Sequence, residues 1–442
     1  MKKIIFVLSL AMLLLQGFPA FAFLQPNDVQ SFVLSNGMKI FVLEDHSIPS
    51  ANMYVFWKVG SRNEHPGITG IAHFFEHMMF NGARKYGPKQ FDHFMESQGG
   101  ANNAYTTENM TVYTDWFPSA ALESIFDLES DRIAHLNFDD AIIESERQVV
   151  SSERSTGLEN NNWNFMEEAL LGTAFTAHPY AFPVIGFQSD IDNWSKKDLQ
   201  DFFKSYYAPN NATVVIAGDV SLAQVKQLAN RYFAPIPRRA PPRKIHTVEP
   251  EQLGEKRFYL YKPAVSTSHL WMVYHTPATP SPDTYPLQLL SAILSSGESS
   301  RLYHRLVDEL QIANEVSAYL PSSFDPYLFH INAVAADGAS VEKLEKEILS
   351  VLQQVVQHGV TERELQKVKN QALMGFYQAM GAINSKAEFV GMYENYFGGV
   401  QKLFMAPDEI NKVSVADIQR VAQQYLKKSN RTVGVLGNWE DK

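Results

Sequence analysis

The chain has 442 residues, 45% hydrophobic and 19% charged, a balance that suits two or more globular domains with substantial cores and excludes intrinsic disorder. Its formal charge of -10 gives no overall electrostatic basis for gripping nucleic acid or an anionic membrane, and the complete lack of Cys excludes disulfides and thiolate metal ligands.

In chain order, the first feature is MKKIIFVLSLAMLLLQGFPAFA. It carries Lys2 and Lys3, an apolar run from Ile4 to Leu15, and an Ala-Phe-Ala ending at Ala22. That run is too short to span a bilayer, so the segment reads as a secretory signal cleaved after Ala22, and no later stretch is long and apolar enough for an anchor. The expected location is the periplasm, or the exterior of a cell with no outer membrane. Both lysines leave with the signal and no acid does, so the charge becomes -10 - 2 = -12.

Next comes IAHFFEHMMF. On a helix, His73 and His77 stand one turn apart on the same face and can share a metal ion, with Glu76 beside them. This is the inverted zinc-hydrolase pattern: neutral imidazoles ligate, one coordination position is left to water, and a carboxylate that does not ligate can take that water's proton. Glu76 suits the last role. Residues 99–113, GGANNAYTTENMTVY, read as a Gly-Asn turn leading into an alternating strand.

A catalytic zinc needs a third protein ligand, which can lie far away in sequence. The acidic helix DDAIIESERQVVSSERS offers one, because Glu146 and Glu153 are two turns apart and point the same way. Ile142, Ile143, Val149 and Val150 mark its buried side.

A repeat decides the architecture. SKKDLQDFFKSYYAPNNATVVIAGD, from Ser195, matches SVADIQRVAQQYLKKSNRTVGVLGN, from Ser414, at a constant offset of 219 without a gap; the pairs Ser195/Ser414, Asp198/Asp417, Tyr206/Tyr425, Asn211/Asn430 and Gly218/Gly437 are identical. Each copy reads as a capped amphipathic helix, a short turn and an apolar strand, so the fold class is α+β, built as two copies of one unit. The Pro-rich, basic stretch PIPRRAPPRKIHTVEPEQ reads as a linker. The expected division is 1–22 signal, 23–235 metal-binding unit, 236–255 linker and 256–442 second unit. Shifted by 219, His73, Glu76 and His77 fall near Ala292, Ser295 and Ser296, and Glu146 and Glu153 fall near Leu365 and Ala372. The second copy keeps none of the chemistry.

Taken together, these features resemble the pitrilysin family of zinc peptidases, which includes insulin-degrading enzyme and the mitochondrial processing peptidase. In that family the third ligand lies about 76 residues beyond the second histidine, and here 153 - 77 = 76. The resemblance implies one Zn2+ per chain on His73, His77 and Glu153, with Glu76 as base and Glu146 supporting the site from behind. It implies two homologous α/β-sandwich units, each a mostly antiparallel sheet with helices packed on it. Residues 99–113 look like the family's Gly-Gly, Asn-Ala, Thr segment, which feeds an edge strand beside the zinc, and this makes Asn103 and Ala104 the candidate contacts for an extended peptide substrate.

One departure stands out. Active members carry an Arg and, seven residues on, a Tyr that hold the substrate carbonyl; after SSRLYHRL the corresponding positions here are Val307 and Asn314 (314 - 307 = 7). Arg301, Tyr303 and Arg305 are at the wrong spacing. The resemblance therefore implies a related sister subunit, without the metal motif, that supplies the pair; a homodimer is the alternative assembly. Competing functions within the family are a noncatalytic scaffold and a peptidase dedicated to maturing one precursor.

Overall fold

The computed structural model of the protein describes residues 24–438, so the expected signal at 1–22 lies outside it. Among the described residues no helix is long and apolar enough to cross a membrane. The first half runs β1 (Val29–Val33), β2 (Lys39–Glu44), β3 (Ser50–Trp57), α1 (Ile71–Met78), α2 (Gln90–Ser97), β4 (Ala101–Thr106), β5 (Thr111–Pro118), α3 (Leu122–His135), α4 (Asp140–Asn160), α5 (Asn162–Ala174), α6 (Gln188–Ile191), α7 (Lys196–Tyr206), β6 (Ala212–Gly218) and α8 (Leu222–Tyr232). The second runs β7 (Lys256–Tyr261), β8 (His269–Thr276), α9 (Thr284–Ser295), α10 (Arg301–Tyr303), β9 (Ala313–Tyr319), β10 (Tyr327–Ala335), α11 (Val341–His358), α12 (Glu362–Ala379), α13 (Ile383–Tyr396), α14 (Gln401–Lys412), α15 (Val415–Tyr425) and β11 (Arg431–Gly437).

Two sheets result, in the orders β1-β2-β6-β3-β5-β4 and β7-β11-β8-β10-β9. In each, one pair is parallel, β2 with β6 and β7 with β11, and the other neighbours are antiparallel. This is the α+β fold expected from the repeat. Even the element boundaries repeat: α7 and β6 shifted by 219 give α15 and β11 residue for residue. The shared residues explain why. Ser195 and Ser414 form capping boxes with Asp198 and Asp417, each satisfying otherwise orphaned helix-start donors. Asn211 Nδ2 donates to the carbonyls of Tyr206 and Lys58, and Asn430 Nδ2 donates to those of Tyr425 and His275, tying helix end to sheet in both copies.

The inner face of each sheet is covered by helices of its own half. Phe74, Phe75, Ile125, Phe126 and Phe202 pack on Ile40, Val55 and Val214 in the first; Leu290, Ile348 and Ile418 pack on Met272, Ile331 and Val433 in the second. The outer faces are covered by exchange. Helix α13 of the second half places Ala387, Val390 and Tyr393 on Phe41, Tyr54, Phe56 and Val215 of the first sheet, and α5 of the first half places Met166, Leu170 and Leu171 on Trp271, Val273 and Leu436 of the second. Fully burying each Val, Leu, Phe or Met among these stabilises by about 1.5–3 kcal/mol. Contact with α13 is close: a Cβ on Gly391 would stand 2.1 Å from the Phe56 ring, so that helix can approach only with glycine there.

Candidate metal centre

Helix α1 is short, and its start is buried, so its free backbone donors need partners. Glu64, itself 3% exposed, accepts from Gly70 N (2.7 Å) and Ala72 N (2.8 Å). Burial pushes the Glu64 carboxyl up to about 8, against the pull of those two bonds. Asp190 Oδ2 accepts from Gly67 N, Thr69 N and the Thr69 hydroxyl, and Trp194 Nε1 donates to the Thr69 carbonyl. Gly70 (φ +84) and Gly186 (φ +80) meet backbone to backbone; a Cβ on Gly70 would lie 2.5 Å from the Ile185 carbonyl. The helix is therefore clamped at its first turn.

From α1, His73 and His77 face Glu153 on α4. His73 Nε2 is 3.7 Å and His77 Nε2 is 3.2 Å from the Glu153 carboxylate, and one ligand atom from each of the three residues lies within 4.8 Å of the others. Behind His77, Nδ1 stands 2.7 Å from Glu146 Oε1, and Asn81 Nδ2 donates to Glu146 Oε2 (2.6 Å) and to the His77 carbonyl (3.1 Å). With its Nδ1 hydrogen donated to Glu146, a neutral His77 would aim the Nε2 lone pair at a carboxylate oxygen, two acceptors face to face. A cation between them resolves the conflict: either a proton or a metal ion. Burial opposes the charged ring, yet Glu146 and Glu153 overcome it and raise His77 to about 9, whereas burial, then the His77 charge, hold His73 down to about 4. The contact to His77 holds Glu153 below the usual carboxylate range. Tetrahedral zinc bonds of about 2.0–2.1 Å separate ligand atoms by roughly 3.3–3.4 Å; the two imidazole-to-carboxylate distances, 3.7 and 3.2 Å, lie near that, and two imidazoles with one carboxylate are a donor set that suits the ion.

Glu76 lies beside the trio, and its carboxylate Oε2 accepts from the Thr106 hydroxyl at 2.6 Å. Burial raises its pKa despite that bond. A groove of about 1050 Å³ opens over the site, walled by His73, Glu76, Ala104, Thr106, Glu153 and Ile185 among others, and all its lining residues fall between 73 and 185. Strand β4 is an edge of its sheet; Ala104 lies in the groove wall, and Asn103 is exposed one residue earlier on that edge. Val149, expected on the buried side of α4, is instead 47% exposed in the groove wall, because successive helical residues diverge by about 100° and Val150 takes the core position. Glu64, Asn81 and Thr106 escape sequence reasoning. Only Asn81, four residues beyond His77, carried a spacing signal.

In the second copy, Ala292, Ser296 and Ala372 do line one groove, of about 420 Å³, and Leu365, the counterpart of Glu146, is buried. Among the described residues His73, His77 and Glu153 are the one cluster suited to a metal. Val307 is half-buried against the second core, and Asn314 donates to the Ala335 carbonyl. Arg301 is paired with Glu364, and Arg305 with Glu347 and Glu309.

Comparisons with known proteins identify the family. Residues 39–187 match the model for the insulinase family, peptidase family M16, and residues 193–372 match its companion, the M16 inactive domain. The candidate ligands all fall in the first match. The chain is 30% identical over 418 residues to the zinc protease PqqE of Helicobacter pylori, covering 92% of each, and 24% identical to the mitochondrial-processing peptidase subunit beta of Lentinula edodes, covering 92% of this chain and 89% of the other. A crystal structure of a protease from Helicobacter pylori superposes with a TM-score of 0.89 at 29% identity, covering 92% of this chain and 99% of that one. The chain belongs to the insulinase (M16, pitrilysin) family of peptidases.

Proposed function

We propose that the protein is a zinc-dependent metallopeptidase acting on extended peptides or small unfolded proteins, exported from the cytoplasm. The observation that carries this reading is the convergence of His73 Nε2 and His77 Nε2 on Glu153 with Glu146 already holding His77 Nδ1. His73, His77 and Glu153 would hold the ion. Bound there, zinc supplies a Lewis acid for a peptide carbonyl and acidifies water to near neutrality.

This chain's own residues do the remainder. Edge strand β4 offers main-chain hydrogen bonds to an extended substrate, with Asn103 and Ala104 as its proposed contacts. Glu76, buried beside the imidazoles, accepts the proton of the attacking water and returns it to the leaving amine. Glu146 keeps the His77 ring in the tautomer whose Nε2 can ligate. Electrophilic help for the developing oxyanion is the missing part. Among the described residues the one Lys or Arg in the groove wall, Arg154, is bound to Glu168 at 2.6 Å, and a relative named as a subunit supports a sister chain that brings the help.

The test is zinc content together with hydrolysis of a quenched peptide. Expected are one zinc per chain and activity abolished by a chelator and restored by zinc. A purified chain that binds no zinc, or cleaves equally well without it, overturns the reading.

A further inference from the structure

We infer that Thr106 is a positioning residue for Glu76, and that the second half of the chain helps to hold it in place; the inference rests on the proposed peptidase function. Thr106 has one hydroxyl hydrogen and two acceptors within reach: Glu76 Oε2 at 2.6 Å and Thr111 Oγ1 at 3.5 Å. The nearer, anionic acceptor takes it, since hydrogen bonds to a charged group are shorter and stronger. Thr111 spends its own hydrogen on the Val59 carbonyl at 3.0 Å. With Oε2 tied to the edge strand, the Glu76 carboxylate cannot spin, and Oε1 is left to take the proton.

Thr106 is itself fixed from several sides. It pairs with Thr111 at the last register position of β4 and β5, and the turn between them closes through Thr107 N to the Met110 carbonyl. Ser61 N and Arg62 N donate to the carbonyls of Thr107 and Glu108. A Cβ on Gly60 would stand 2.2 Å from the Thr107 carbonyl, so the two segments touch. The second half reaches the same turn: Phe324 N donates to Asn109 Oδ1 (3.1 Å), the Tyr327 hydroxyl donates to Glu108 Oε1 (2.7 Å), and Asp325 holds Arg62 through Nε (2.9 Å). The repeat supports a general role for this staple. Ser295, the counterpart of Glu76, accepts from Ala318 N of edge strand β9 at 2.8 Å, joining the equivalent helix to the equivalent edge.

The experiment compares the zinc-loaded full chain, with its sister subunit where activity requires one, against Thr106→Val, Thr106→Ala and Thr106→Ser. Misplacing a catalytic group by about 1 Å can cost about 100-fold, so Val and Ala are expected to lower kcat by about 10- to 100-fold with KM and zinc content unchanged. Ser, which restores the hydroxyl, recovers most of that loss. Crystal structures of the parent and the Val variant should show the Glu76 carboxylate turned away from its parent orientation. An unchanged kcat, a loss that Ser does not recover, or an unmoved Glu76 overturns the inference. A parent chain that binds zinc but hydrolyses nothing overturns the functional reading alone, because the orientation of Glu76 in the two structures still decides the role of Thr106.

Discussion

His77 and Glu146 meet at 2.7 Å, Nδ1 to Oε1, and the contact is itself braced by Asn81 on the other carboxylate oxygen. A carboxylate behind a ligating imidazole fixes its orientation and raises its basicity. Glu146→Leu, which copies the second half's Leu365, is therefore expected to weaken zinc binding by about 10- to 100-fold, the usual cost of losing such a partner. Glu146→Gln, which keeps an acceptor, should weaken it less. Competition with a chromophoric chelator measures both, and equal affinities for the parent and Leu variants would refute the role.

Removing the metal should expose the titration of His77. Without an ion, the proton on Nε2 bridges to Glu153, and the folded pKa of about 9 lies above the ordinary 6.5. A raised imidazole pKa adds stability that is fully present below about 6.5 and is lost as pH rises through about 9. The chelator-treated chain should thus melt at progressively lower temperature from pH 6.5 to 9.5, while the zinc-loaded chain should not. His77→Gln should flatten the metal-free profile. Scanning calorimetry across that range checks both, and parallel profiles for the metal-free and loaded chains would contradict the bridge.

The clustering of the candidate site was largely legible in the sequence, because residues that share a metal must share a helix face: His73 and His77 one turn apart, Glu146 and Glu153 two turns apart. The repeat was legible because caps such as Ser195 and Asp198 leave the same marks twice. What could not be read is pairing across distance. Glu64 sits in a loop with nothing in its neighbourhood to mark it as the cap of α1, and Thr106 ends a strand among several threonines. Nor does an amphipathic helix declare which sheet it covers, so the exchange of α5 and α13 between halves is visible only in the fold.

Glu64 gives a stability prediction. Its carboxyl oxygens satisfy two buried helix-start donors, and leaving a buried donor unpaired costs about 1–3 kcal/mol each. Glu64→Ala should destabilise the chain by about 2–6 kcal/mol on that basis, less whatever water recovers. It should also lower zinc affinity, because α1 carries both histidines. Urea unfolding with the midpoint and slope read separately is the check; a variant as stable as the parent would mean that the cap is idle.

The proposed sister subunit can be tested at the wall of the groove. Its lining comes from residues 73–185, and the positions that the family resemblance gives to an assisting Arg and Tyr hold Val307 and Asn314, neither of which lines it. The chain alone should therefore turn over slowly, and a related chain bearing that pair should raise kcat by about 100-fold or more, the scale of one oxyanion donor. Turnover and light-scattering mass, measured on the same mixtures, test it together. A rate that the sister does not raise, in a mixture shown to contain the complex, rejects the partnership.

The exchanged helices bear on whether the halves are separable. We propose that the linker at 236–255 divides the chain into two units that cannot fold apart, because cutting there strips α13 from the first sheet and α5 from the second. The first half alone would expose Phe41, Tyr54, Phe56 and Val215, which are buried in the whole chain. At about 1.5–3 kcal/mol for each large side chain, four such losses rival the 5–15 kcal/mol that typically holds a domain together. Residues 24–235 and 256–438 expressed separately should aggregate or remain unfolded. Expressed together they should assemble through the reciprocal α5 and α13 contacts and recover zinc binding. A soluble first half with a sharp thermal transition of its own would show that the exchange contributes little.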